Sequence, residues 1–298
     1  MPTPPAPLVV VGVDGSARAA SAVDWAADEA ARRGARLHVL HAFELADSWL
    51  ANDLVSAVDA RAAGEEICAA AVARARAAHP RLAVTSEVQL ANPAAALADV
   101  SRRAAAVVVA ARGRGAVRSQ LLGSTSRRLA ARAHGPVVVV RGDGGEGGGP
   151  VVVGVDRAAT AAVVYALADA ARRGVHLRAV HATPAPPDGP RAWPRAGLAQ
   201  HAGRVAERAA RAVEHDVAQL ARAVTALAAR FPTVEVDFRA VPEHPVEALL
   251  RHSAEAGLLV VGTRGLTPLT ALVRGSVSQG LLGRARCAVA VVPHHVPP

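Results

Sequence analysis

The sequence predicts an α/β protein built as two doubly wound, five-stranded parallel-sheet domains in tandem, each Rossmann-like with strand order 3-2-1-4-5. Three observations predict it. Continuous β-branched runs such as LVVVGV (residues 8–13) and AVVVA (106–110) read as strands covered on both faces rather than as half-exposed hairpin strands. These runs alternate with Ala/Arg-rich helical stretches, which is the pattern of a parallel sheet wound with helices. The signature of the first 42 residues then returns about 140 residues later, so the chain reads as a duplication.

In order, strand one (8–13) ends at Asp14-Gly15-Ser16, and a helix over 17–33 is closed by Gly34 at a C′ position. LHVLHA (37–42) is strand two. After a loop over 43–50, a long helix spans 53–78 and stops at His79-Pro80. Strand three covers 82–88. Asn92 caps a short helix over 93–103, strand four is 106–110, a glycine-spaced loop follows, and a helix (124–133) leads to strand five at 137–141. RGDGGEGGG (141–149) then breaks the pattern, which divides the chain into domain 1 (1–141), a Gly-rich linker (142–149) and domain 2 (150–298). VVVGVD returns at 151–156, ARRG at 171–174 and LRAVHA at 177–182, while the glycine motif returns at a larger offset. The Pro-rich stretch 183–194 is where the extra residues are expected. The two last strands, VVVV (137–140) and AVAVV (288–292), are too apolar to be left as open edges, so they are expected to pair with each other, within the chain or in a homodimer.

At 298 residues, 51% of them hydrophobic, each half can bury its own core. The apolar runs fall short of the roughly 20 residues a spanning helix needs. The start has no basic n-region, so a cytoplasmic location without membrane association is expected. Cys68 and Cys287 have no companion spacing and read as packed thiols. The net charge of +9 is carried by arginine alone, since lysine is absent. Arg32, Arg33, Arg74, Arg76, Arg102 and Arg103 lie among alanines and read as solvated helix faces. With only 2% aromatic residues there is little to stack bases on, and nucleic acid is not the expected partner. The missing lysine excludes a Walker A loop, leaving backbone N–H groups, hydroxyls and arginine to hold any phosphate.

Chemistry concentrates in the loop after strand four. In the second half it has the spacing Gly-x2-Gly-x9-Gly-Ser, set by Gly262, Gly265, Gly275 and Ser276; in the first half Ala110, Gly113, Gly123 and Ser124 occupy those places. In an open α/β sheet, ligands bind beyond the carboxyl ends of strands where the winding reverses, which here are the ends of strands one and four. Glycine there lets a ligand lie on the backbone, and a helix beginning at the Gly-Ser pair offers free N–H groups and a favourable dipole to an anion. A nucleotide fits this geometry, with its base and sugar near strands one and two and its phosphates over the helix start.

Both halves resemble universal stress protein domains, and the chain resembles a tandem member of that family over nearly its whole length. The resemblance implies an ATP-binding regulatory protein of the stress response with one pocket per domain. In the second half it implies ligand contacts from Gly262, Gly265, Gly275, Ser276, Val277 and Ser278, with Gly154, Val155, Asp156 and Ala182 opposite. In the first half it implies Ala110, Gly113, Gly123, Ser124, Thr125 and Ser126, with Gly12, Val13, Asp14 and Ala42 opposite. Two departures stand out: Ala110 replaces the first motif glycine, and Asp156-Arg157-Ala158 replaces Asp14-Gly15-Ser16. Each half has one altered side, and unequal affinities are expected.

Plainer readings accompany these. Ser16, Ser124 and Ser276 are also good helix N-caps. Arg112, Arg114, Arg118, Arg264 and Arg274 can clamp phosphate or simply be solvated. His41 and His181, at matching strand ends, read as packing or hydrogen-bonding residues. Asp14 and Asp156 can hold Mg²⁺ only with phosphate oxygens as co-ligands. No nucleophile elbow or carboxylate pair supports an enzyme, and slow ATP hydrolysis has no dedicated base. The alternatives to a nucleotide-binding regulator are a nucleotide-independent scaffold with degenerate pockets and, less favoured, a slow ATPase; a protein partner is implied but not identified.

Overall fold

The computed structural model describes residues 6–44, 53–111, 123–141, 148–183, 199–263 and 276–294. The first half runs β1 (Leu8–Gly12), α1 (Ala17–Arg33), β2 (Arg36–Phe43), α2 (Asp53–Ala78), β3 (Val84–Leu90), α3 (Pro93–Val100), β4 (Ala106–Ala110), α4 (Ser124–Arg132) and β5 (Val137–Val140). The second half repeats it as β6 (Val151–Gly154), α5 (Thr160–Arg173), β7 (Leu177–Ala182), α6 (Ala199–Ala228), β8 (Val236–Val241), α7 (Pro245–His252), β9 (Leu258–Thr263), α8 (Ser276–Arg284) and β10 (Ala288–Pro293). The short helix α3 ends at Val100, sooner than its apolar pattern suggests, because Ser101 turns its hydroxyl back onto the Ala98 carbonyl at 2.6 Å and receives the His134 N–H at 2.8 Å.

All ten strands form one sheet in the order β3-β2-β1-β4-β5-β10-β9-β6-β7-β8. Each half has the 3-2-1-4-5 order, wholly parallel inside, and the halves join where β5 and β10 pair antiparallel with Val139 opposite Val289 and Val137 opposite Val291. The apolar last strands thereby cover one another. The strands left at the edges are β3 (VTSEVQL) and β8 (VDFRAV), whose charges discourage further strand addition. Alternation sends Val9 and Val11 to one face and Val10 to the other. One core lies under α1, α2, α5 and α6 with Trp25, Cys68, Leu167 and Leu220; the other lies under α3, α4, α7 and α8 with Leu97, Leu129, Leu249 and Leu282. Both cores run through both halves.

On the first face the C-terminal ends of α1 and α5 meet. Glu29 and Asp169 are both fully buried, and Arg32, Arg33, Arg172 and Arg173 gather around them. Arg33 Nε reaches Glu29 at 2.5 Å and Arg173 Nε reaches Asp169 at 2.5 Å; Arg173 also crosses to Glu29 at 3.2 Å. The exchange is reciprocal: Arg33 lies over the Tyr165 ring of the other half at 5.3 Å and donates to its hydroxyl at 3.1 Å, while Arg173 lies over the Trp25 ring at 5.5 Å. The expectation that Arg32 and Arg33 are solvated is thus overturned, since their side chains are only 28% and 11% exposed. Arg102 and Arg103 are exposed, and Arg74 is an exposed partner of Asp24.

Candidate functional site

The site begins where β1 stops. In the first half Asp14 folds back so that its carboxylate accepts the Ser16 N–H at 3.0 Å, Gly15 takes a left-handed φ of 74°, and the Ser16 hydroxyl caps α1 by accepting from Ala19 N at 3.2 Å. This turn aims the start of α1 away from the sheet and leaves the carboxyl ends of β1 and β4 adjacent, with Gly12 in register with Val109. The second half makes the same Asp turn, Asp156 accepting from Ala158 N at 2.9 Å, but α5 begins after Ala159 with no side-chain cap.

The loop after β4 leaves and returns at one point. Gly123 N donates to the Ala111 carbonyl at 2.9 Å, and the buried Ser126 hydroxyl donates to the Ala110 carbonyl at 2.8 Å, so the first turn of α4 is tied to the end of β4. The N-cap of α4 is Gly123, with Ser124 the first helical residue; Ser124 therefore does not cap, and no side chain does. The helices α1, α3 and α7 are by contrast each capped by a side chain, from Ser16, Asn92 and His244. The α4 terminus thus presents backbone donors, with the exposed Ser124 and half-buried Thr125 beside them, at the same end of the sheet as the Asp14 turn.

Strand two closes the other side. His41 Nδ1 donates to the Val13 carbonyl at 2.8 Å and His181 Nδ1 to the Val155 carbonyl at 2.9 Å, each fixing the end of the first strand of its half. Val13 N and Val155 N are likewise taken by the Leu40 and Val180 carbonyls, and both valine side chains are buried. Ala42 and Ala182, half-buried, sit beside these histidines at the ends of β2 and β7.

The structure therefore brings Gly12, Val13, Asp14, Ala42, Ala110, Gly123, Ser124, Thr125 and Ser126 to one end of the first half-sheet. Gly154, Val155, Asp156, Ala182 and Gly262 take the matching places in the second. Ser276, Val277 and Ser278 open α8, where Val277 packs on the second core. Gly113, Gly265 and Gly275 lie outside the described residues, as do the flanking Arg112, Arg114, Arg118, Arg264 and Arg274 and most of the Pro-rich stretch.

Two of the glycines have a packing reason of their own. A Cβ on Gly12 would meet Leu97 Cδ1 at 2.9 Å, and one on Gly154 would meet Leu249 Cδ1 at 3.0 Å, so they admit α3 and α7 to the sheet. Ala110 and Gly262 are both within strands, and among the described residues the nearest atom that a Cβ on Gly262 would meet is Ala162 Cβ at 3.6 Å, an ordinary contact. Among the described residues no cluster of three or more His, Cys, Asp and Glu side chains could hold a metal ion. No described helix is long and apolar enough to cross a membrane.

The fold and its two crevices define a tandem doubly wound α/β protein with a ligand-type switch point in each half. The profile of the universal stress protein family matches residues 8–141 and 149–293, and the chain belongs to that family. A universal stress protein of Mycobacterium tuberculosis is 34% identical over 297 residues, covering 95% of this chain and 96% of the relative. One from Mycolicibacterium smegmatis is 34% identical over 296 residues with the same coverage. The crystal structure of a universal stress protein from Archaeoglobus fulgidus superposes with a TM-score of 0.67 at 18% identity, covering 96% of this chain and 98% of that one, and so shares the fold.

Proposed function

We propose that the chain is an adenine-nucleotide-binding regulatory protein, with one ATP pocket per half and Mg²⁺ held, where present, through the phosphates. The observation that carries this reading is the N-terminus of α4, which has no side-chain cap and is tied by Ser126 to the end of β4, next to β1 at the switch point. An anion resting on the N–H groups of residues 124–126 would replace the missing cap, helped by the helix dipole. The ends of β1 and β2, held by the His41 bond to Val13, and those of β6 and β7, held by the His181 bond to Val155, would flank the base. Binding, rather than hydrolysis, is the output: an occupied loop presents a different surface to a protein partner.

Mass spectrometry of nucleotide released from the purified protein, with calorimetric titration of ATP, tests the reading. ATP is expected to bind at micromolar to millimolar concentration, and Gly123→Glu and Gly275→Glu are each expected to remove one site by setting a carboxylate against the phosphates. Absence of binding at millimolar ATP refutes the reading, and unchanged stoichiometry in both variants refutes its placement. The rival scaffold reading draws on one observation, the charged side chain that replaces Gly15 in the second half, and predicts partner capture indifferent to ATP.

A further inference from the structure

The two halves differ at matched positions on the base side of the crevice. Counted from the Asp turn that both halves make, Arg157 stands where the first half has Gly15. Counted back from the helix-to-strand turns, in which Leu82 N bonds to the His79 carbonyl and Val234 N to the Phe231 carbonyl, Asp216 on α6 stands where α2 has Gly64. Gly64 is buried against His41: a Cβ there would lie 2.8 Å from His41 Cδ2 and 2.9 Å from Val88 Cγ1. In the second half the strand position of Val88 is taken by the smaller Ala240, opposite His181 in the β7–β8 register. Two glycines of one half have thus become an arginine and an aspartate in the other, and the two new side chains touch: Arg157 donates through Nη2 to Asp216 Oδ1. The pair crosses from the loop after β6 to α6, over the ends of β6 and β7, beside His181 and its partner Thr183 at 3.0 Å.

We infer that the Arg157–Asp216 ion pair is a strap across the base side of the second pocket, which a nucleoside must part in order to enter, so that the second site is the weaker of the two. This rests on the nucleotide reading above. In the first half Gly15 has no side chain to reach across, and His41 and Val88 fill the space beside Gly64, so no strap forms there. Arg157 is 76% exposed and Asp216 33% exposed, so water competes for both partners and the strap opens readily. It shifts the second affinity by about fivefold at most, the ceiling for such a pair. The site remains usable but fills after the first.

Calorimetric titration of ATP into the full chain carrying Gly123→Glu reads the second site alone, and adding Arg157→Ala or Asp216→Ala tests the strap. Parting the pair from either side is expected to tighten binding about two- to fivefold, and the double variant is expected to gain no more than one of the singles. Arg157→Ala decides the matter. Removing a cation near a bound polyphosphate should weaken binding if the residue acts only through its charge, whereas removing half of a strap should tighten it. The same direction is expected with adenosine, which carries no charge. Weaker or unchanged binding of ATP in Arg157→Ala overturns the strap and leaves the nucleotide reading standing. Absence of ATP binding by the unmodified chain overturns the nucleotide reading and the strap with it. Thermal unfolding of each variant confirms that it folds, which both side chains' exposure favours.

Discussion

Glu29→Gln is expected to damage the seam between the halves far more than Asp169→Asn, although the two carboxylates occupy equivalent places. Both are fully buried. Burial raises the pKa of each, but Arg33 and Arg173 at Glu29 outweigh burial and bring its carboxyl down to about 2, whereas at Asp169 burial, reinforced by the neighbouring Glu29 charge, prevails and pushes its carboxyl up. The first proton taken by the pair therefore belongs to Asp169, and asparagine there removes a charge that the fold disfavours. Arg33 and Arg173, only 11% and 5% exposed, face both carboxylates, but glutamine at position 29 removes the charge that they stabilise in the fold. Breaking a buried pair from one side costs about 3–5 kcal/mol, so that is the loss expected for Glu29→Gln, against about 1 kcal/mol for Asp169→Asn. Urea unfolding at neutral pH, followed by tryptophan fluorescence, measures both, since Trp25 lies under Arg173. The pH dependence has opposite signs. Glu29 is lowered in the fold, so its contribution is present above about pH 4.5 and fades as pH falls toward about 2. Asp169 is raised, so its contribution is present below 3.8 and is lost as pH rises through its folded value. Glu29→Gln should therefore be less acid-sensitive than the unmodified chain. An Asp169→Asn loss equal to or larger than that of Glu29→Gln refutes the reasoning.

Three further outcomes are expected. Ser16→Ala removes the α1 cap and should cost about 1 kcal/mol in urea unfolding, while Ser124→Ala, which removes no cap, should leave stability unchanged within about 0.5 kcal/mol. Gly135→Ala would place a Cβ 2.4 Å from the Ser101 carbonyl oxygen, a backbone atom that cannot swing aside, so a loss of about 1–3 kcal/mol should appear in the unfolding midpoint. Cys287 is buried and its thiol is pushed up to about 12, and burial raises Cys68 as well; a thiol reagent at pH 8 should label neither in the native protein and both in urea, with the rate set by unfolding.

The sheet was legible because its physics is local. Strands covered on both faces must be apolar at every position, and Val9–Val11, Val107–Val109 and Val137–Val140 all meet that demand. The order of strands followed from winding, and the junction of β5 with β10 from the penalty on an apolar edge. The seam was not legible. ARRG at 31–34 and 171–174 was visible as a repeat, yet an arginine on an alanine-rich helix looks the same facing water or facing a buried carboxylate. The missing signal was an acidic residue one turn earlier on the same stripe: Glu29 lies four residues before Arg33, and Asp169 four before Arg173, on the face that also carries Trp25 and Tyr165.

Which residues share the carboxyl end of the sheet was legible; what each of them does there was not, for a related reason. The motif glycines at 12 and 154 belong to the resemblance, but Leu97 and Leu249 explain them by packing, so their presence says little about a ligand. Gly123 opens a helix that no N-cap side chain closes, as Ala159 does at α5. The asymmetry of the halves was visible at Arg157 and invisible at Asp216. Residues near strand one align between the halves at an offset of 142, whereas the ends of α2 and α6 align at 152, because the insertion after β7 falls between them. No single offset sets Gly15 beside Arg157 and Gly64 beside Asp216 at once. The strand registers do so, and only then do two unrelated-looking substitutions become two ends of one ion pair.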